Sequence, residues 1–161
     1  MAESPTNILV VDALDPSGGS GFIVDVRVAE RHGARTVGVV TATTEQTTAS
    51  LRQLGPVNAE IIGDQLRAVL ADIEVKAVKI GALATPAIAA AVAKALELTA
   101  APVVWDPVVR GVESGTLLYA NPLQPPSEMF EQATVVTPLP EELGFLVPSN
   151  MLVADISSAT H

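Results

Sequence analysis

A chain of 161 residues is long enough for one domain with a sizeable core, and 48% hydrophobic residues supply the material for it. A net charge of −9, only nine Lys and Arg, and 3% aromatics weigh against nucleic-acid binding, because such a surface repels phosphate backbones and offers bases little to stack on. With no cysteine, disulfides, thiolate zinc sites and Cys nucleophiles are excluded. No apolar run reaches the length of a transmembrane helix, so no membrane role is expected. Met1–Pro5 lacks the basic and apolar regions of a signal peptide, so a cytoplasmic location is the default expectation.

In chain order, the apolar run within Asn7–Asp12 predicts a first strand. Asp15-Pro16-Ser17-Gly18-Gly19-Ser20-Gly21 follows, and Phe22–His32 then reads as a helix stopped by Gly33. The β-branched run Thr36–Ala42 predicts a second strand, and Thr41–Thr48 a polar loop leaving it. Pro56 and Asn58 introduce a helix over Ala59–Ile73 with a broad apolar face. Ala77–Ile80 is a short buried strand closed by Gly81. Thr85-Pro86 reads as an N-cap with proline in the first turn, ahead of a helix over Ala87–Leu98. Pro102–Trp105 is a strand ending at Asp106. Ser127–Gln132 is a short helix, Thr134–Thr137 a strand, and Glu141–Leu146 the start of a helix.

Strands alternating with helices predict βαβ units in an α/β domain with a mainly parallel sheet. Ligands in such sheets sit beyond the carboxyl ends of the strands. The glycine-rich turn lies at one of these ends and is either a ligand cradle, with backbone N–H groups free at the helix start, or an ordinary βα turn. The polar segment Thr41–Thr48 is either a binding segment or a surface loop. Asp106 is a cation-holding carboxylate or a turn residue beside Pro107. Glu141 and Glu142 also suit a helix's first turn, and Asp25 a solvated helix face. His32 stands at a helix end and complements its dipole, while His161 is assigned no role.

Asp-Pro-Ser-Gly-Gly-Ser-Gly resembles the N-terminal loop of the hydroxymethylpyrimidine/phosphomethylpyrimidine kinases, ribokinase-like enzymes of thiamine biosynthesis. Four further motifs follow in the order found in that family: Thr41–Thr48, Lys79-Ile80-Gly81-Ala82-Leu83, Trp105-Asp106-Pro107-Val108-Val109 with Ser114-Gly115 and Leu117-Leu118, and Thr137-Pro138-Leu139-Pro140-Glu141-Glu142. The likeness extends from Asn7 to about Leu146. It implies a three-layer α/β/α ribokinase-like fold. It further implies ATP-dependent phosphorylation of 4-amino-5-hydroxymethyl-2-methylpyrimidine and its monophosphate, with ATP and Mg²⁺ as cofactors and a small-molecule pyrimidine as partner. Carried over position by position, it makes Ser20, Asp25, Thr44, Gln46 and Val108 substrate-binding. Asp106 and Glu142 become the nucleotide, phosphate and metal residues.

The chain also departs from the family pattern. Ala13 stands where a glycine is usual and Ser20 where alanine is common. Ala82 replaces a methionine that packs on the pyrimidine, Leu139 replaces an asparagine, and the step from Asp106 to Ser114 is one residue longer. The sequence contains neither a Walker A motif nor the family's Gly-x-Gly-Cys or Gly-x-Gly-Asp element. Because the resembled enzymes run roughly 100 residues further, the expectation is a single truncated domain over 1–161, about the first 60% of the family domain. Residues 1–6 and 149–161 are expected as flexible ends. Impaired catalysis is expected, with a homo-oligomer or a complementing chain covering exposed surface. The alternatives are a non-catalytic pyrimidine-binding or interaction module and a degraded gene remnant. Pocket residues alone do not separate pyrimidine kinases from pyridoxal kinases.

Overall fold

A computed structural model of the chain describes residues 6–109 and 126–146. Ser114-Gly115, Leu117-Leu118 and the ends expected at 1–6 and 149–161, Thr6 apart, lie outside these residues. Asn7–Leu14 forms β1, Gly21–Arg31 α1, Arg35–Gln46 β2 and Leu51–Pro56 β3. Ala59–Asp72 forms α2, Ala77–Ile80 β4, Pro86–Leu96 α3 and Val103–Trp105 β5. Ser127–Gln132 forms α4, Val135–Val136 β6 and Pro140–Leu146 α5.

The strands make one sheet in the order β3-β2-β1-β4-β5-β6. All neighbours pair in parallel except β2 and β3, which are antiparallel. The chain steps from β1 to β2 on one side, and later from β2 and β3 across to β4 on the other side of β1. The carboxyl ends of β1 and β4 therefore flank a topological switch point, the usual place for a ligand crevice in an open α/β sheet.

Helices cover both faces of the sheet. Pleating places Val10, its partner Gly38 and its partner Lys79 on one face. Helix α1 lies on that face, with the Phe22 ring against Gly38. On the opposite face Leu9, Val11, Val78, Ile80 and Trp105 join Ile62 and Leu66 of α2 and Ile88 and Val92 of α3 in the main core. Trp105 is fully buried, and its ring meets Phe130 of α4 edge to face at 5.1 Å. Burying such a large side chain contributes about 3 kcal/mol before entropy is counted.

Local chemistry explains the helix boundaries. The Asn58 carboxamide accepts the Glu60 and Ile61 N–H groups, which fixes the start of α2 and contributes about 1 kcal/mol. Thr85 Oγ1 accepts the Ile88 N–H, with Pro86 in the first turn of α3. At the end of α1, Gly33 N–H donates to Glu30 O and Ala34 N–H to Ala29 O, the paired bonds of a Schellman cap.

The segment expected to be a polar loop is a strand. β2 continues through Thr44 to Gln46, turns at Thr47–Ser50 and returns as β3. Thr47 Oγ1 closes the turn by accepting the Ala49 and Ser50 N–H groups. β3 carries no strand signal because it is an edge strand: Arg52 and Gln53 are exposed and it ends in Gly55-Pro56.

Candidate substrate pocket

A pocket of about 380 Å³ opens at the carboxyl ends of β1, β4 and β5. The glycine-rich turn and the start of α1 form one wall, and the β2–β3 hairpin forms the other. Ser20, Asp25, Thr44, Gln46, Asp106 and Val108 all line it, together with Ala82. Three elements distant in sequence thus converge on one cavity.

The glycine-rich turn is held by its own aspartate. Asp15 Oδ1 accepts the Ser17 N–H at 2.8 Å and the Ser17 hydroxyl at 2.7 Å. Asp15 Oδ2 accepts the N–H groups of Gly19 and Ser20 at 3.2 and 2.9 Å and the Ser20 hydroxyl at 3.0 Å. Burial pushes the Asp15 carboxyl up, but the hydrogen bonds from Ser17 and Ser20 outweigh it and leave the group below the usual carboxylate range. The turn's N–H groups at Ser17, Gly19 and Ser20 are therefore occupied, not free for an anion. Gly21 follows with φ +61°, where an added Cβ would overlap the Ala13 carbonyl oxygen.

Gln46 and Thr44 reach across from β2. Gln46 Nε2 donates to Ser20 Oγ at 3.4 Å, and Thr44 Oγ1 donates to Leu14 O at 3.1 Å. These contacts tie the hairpin to the opposite wall. Leu51 and Leu54, half-buried on β3, add apolar surface that sequence reasoning missed. Their one signal is an apolar pair inside a short segment bounded by a polar turn and Gly-Pro.

The charged floor was also incompletely read. Lys79 Nζ lies 2.8 Å from Asp12 Oδ2 and 2.7 Å from Asp25 Oδ2. Asp12 is buried, and its Oδ1 accepts the Ala13 and Ala82 N–H groups at 2.7 and 2.9 Å. Asp25 Oδ2 is an ion-pair partner by distance but receives no well-aligned hydrogen bond. Burial pushes the Asp25 carboxyl up, Lys79 opposes and Asp12 adds to the rise, giving a value of about 6. For Lys79, burial lowers the pKa, but the two carboxylates outweigh it and raise the ammonium above its ordinary value.

Asp106 ends β5, with its N–H bonded to Ile80 O at 2.8 Å. Burial pushes its carboxyl up, Lys79 opposes, and Glu142 and Asp12 push it further up. A carboxylate surrounded by other carboxylates is relieved by a cation, so Asp106 suits a Mg²⁺ held through water. Glu142 does not line the pocket. It is buried, and its two carboxylate oxygens accept the Val109 N–H at 3.0 Å and the Leu139 N–H at 2.9 Å. The second bond is half of a capping box for α5, from the third helical position back to the residue before Pro140. Among the described residues no three or more His, Asp or Glu side chains surround a common metal position.

The mainly parallel sheet, its switch-point pocket and helices on both faces make an α/β fold of the ribokinase-like kind. A family model described as phosphomethylpyrimidine kinase matches residues 15–159, and the chain belongs to that family. It is 36% identical over 148 residues to the hydroxymethylpyrimidine/phosphomethylpyrimidine kinase of Mycobacterium leprae, which covers 89% of this chain and 53% of that protein. The crystal structure of phosphomethylpyrimidine kinase from Clostridium difficile 630 superposes with a TM-score of 0.77 at 27% identity, over 95% of this chain and 68% of that one. The pyridoxal kinase of Staphylococcus aureus, solved in complex with AMP-PCP, superposes with a TM-score of 0.72 at 25% identity, over 89% and 52%. The chain spans about half the length of the curated relatives it matches.

Proposed function

We propose that this chain forms the pyrimidine pocket of a phosphomethylpyrimidine kinase. In this reading the pocket binds hydroxymethylpyrimidine or its monophosphate for ATP-dependent phosphorylation in thiamine biosynthesis, in the cytoplasm. The observation that carries the reading is the convergence of Ser20, Asp25, Thr44, Gln46 and Val108 on one cavity at the strand ends, in a chain of this family. The Gln46 carboxamide offers both a donor and an acceptor to the edge of an aminopyrimidine. Asp25 accepts from its amine, while Ala82, Val108, Leu51 and Leu54 pack on the ring.

Mg²⁺ with ATP would supply the phosphoryl group and neutralise its charge. Asp106 is the residue that would hold the cation. Glu142 keeps Val109 and Leu139 in place beside it, so its contribution runs through the backbone. The sequence holds no Gly-x-Gly-Cys or Gly-x-Gly-Asp element, the family's anion hole. Phosphoryl transfer depends on such donors, each worth about a hundredfold or more in rate, so turnover in this pocket requires that element beside it.

Calorimetric titration with 4-amino-5-hydroxymethyl-2-methylpyrimidine, and separately with Mg·ATP, tests the reading. Pyrimidine binding without nucleotide binding supports the pocket assignment and favours a binding module, or a kinase completed by another chain. Binding of both supports a complete enzyme. A folded sample that binds no pyrimidine overturns the reading.

A further inference from the structure

Among the described residues, Lys79 is the cation in the floor of the pocket, and it has no role in the reading above. Lys79 stands on β4 and points to the face covered by α1. Its ammonium reaches Asp12 on β1 at 2.8 Å and Asp25 on α1 at 2.7 Å, so a single side chain joins three elements. Its side chain is 27% exposed, against 3% for Asp12 and 20% for Asp25. At such depth a charge pair responds strongly to geometry, and removing one member leaves the other uncompensated.

The two carboxylates differ in what remains to them. Asp12 is engaged at both oxygens: one takes the Ala13 and Ala82 N–H groups and the other takes Lys79. Asp25 is not: its Oδ2 is buried against the ammonium, while the residue itself lines the pocket. Asp12 is thus the fixed anchor and Lys79 the arm. The arm holds Asp25 against the pocket with acceptor capacity unspent.

We propose that Lys79 is a positioning residue for this pocket, anchored by Asp12, which holds the Asp25 carboxylate as the acceptor for an N–H donor on a heterocyclic ligand. The ligand part rests on the pyrimidine reading above; the positioning part does not. Around one ammonium stand Asp12, Asp25 and, further off, Asp106, so the described residues of the floor carry excess negative charge. That excess favours an amino-substituted ring and disfavours a carboxylate-bearing one.

The test compares the wild-type chain with Lys79→Met and Lys79→Arg. Side-chain coupling constants of Asp25 report its χ1 rotamer without any ligand. One rotamer is expected in wild type, averaging in Lys79→Met and recovery in Lys79→Arg. Affinity for 4-amino-5-hydroxymethyl-2-methylpyrimidine, where wild type binds it, is expected to fall about tenfold or more in Lys79→Met and to be largely restored in Lys79→Arg. A folded Lys79→Met with an unchanged Asp25 rotamer overturns the proposal. If wild type does not bind the pyrimidine, the functional reading fails and the rotamer measurement still decides the positioning. Should Lys79→Met not fold, the Lys79 ammonium signal in wild type decides instead. Slow proton exchange and a signal that moves in Asp25→Asn support the proposal, and a fast-exchanging signal indifferent to that change overturns it.

Discussion

The Asp12 carboxylate occupies the space that a side chain on Gly81 would need: a Cβ built there overlaps both carboxylate oxygens. Gly81 closes β4, and its N–H donates to Val11 O at 2.9 Å, so its backbone has no freedom to retreat. Gly81→Ala is expected to displace Asp12 from Lys79 and from the Ala82 N–H. The overpacking cost is about 3 kcal/mol, read as a lower urea midpoint at unchanged slope.

Asp25 ties stability to pH. Its folded pKa of about 6 lies above the ordinary 3.8, so between these values the folded state holds more protons than the unfolded one. Its contribution to stability therefore falls as pH rises from about 4 to about 6, and the cost is fully present above that window. Asp25→Asn removes the cost. The variant is expected to gain stability relative to wild type above pH 6 and to lose that advantage near pH 4. Unfolding curves at a series of pH values check this.

Ala82 leaves room where the family's methionine would pack. It lines the pocket, is 4% exposed, and is held by its N–H to Asp12 and its carbonyl to the Thr41 hydroxyl at 2.6 Å. Ala82→Met keeps those backbone bonds and adds apolar wall. It is expected to tighten pyrimidine binding by about tenfold, the effect of burying roughly two methylene groups. Calorimetry on the variant reads this directly, and weaker binding would mean that the ring already occupies the space.

Glu142 separates a structural role from a metal role. Glu142→Ala leaves the Val109 and Leu139 N–H groups without their acceptor, at an expected cost of about 2 kcal/mol in unfolding experiments. A direct metal ligand would instead show its loss mainly in Mg²⁺ dependence, with stability little changed.

Asp15 is expected to matter for folding more than for affinity. Asp15→Ala strands three N–H groups and two hydroxyls, costing about 3 kcal/mol. In wild type its lowered pKa stabilises the fold above the ordinary carboxylate range, and that stability is lost as pH falls through the folded value. Acid unfolding of wild type against the variant measures the difference.

Most of the sheet was legible because β1, β4 and β5 are short apolar runs followed by punctuation at Asp15-Pro16, Gly81 and Asp106-Pro107. Helix starts were legible where a side chain does the capping, as at Asn58 and Thr85. β3 was not, because an edge strand needs no alternating apolar face and carries the charge and proline that discourage further pairing. In the site, Ser20, Thr44 and Gln46 were found as members of motifs. Asp12 looks like an ordinary strand residue, and Lys79 stood in a motif without a role of its own. Only the parallel register of β1 with β4, which brings them together, gives them meaning. The glycine-rich turn was misjudged in one respect: sequence spacing shows that donors are present, not that Asp15 already occupies them.

That occupied turn has a consequence for the entropy of binding. A loop that waits for a ligand to order it must freeze its backbone during binding, and that entropy is subtracted from the affinity. Here the freezing is completed when the chain folds, by a carboxylate belonging to the loop itself. The wall formed by Ser17–Gly21 therefore meets the ligand in its final shape, as a rigid template. The ordering left to occur on binding falls to the side chains that face it from the hairpin.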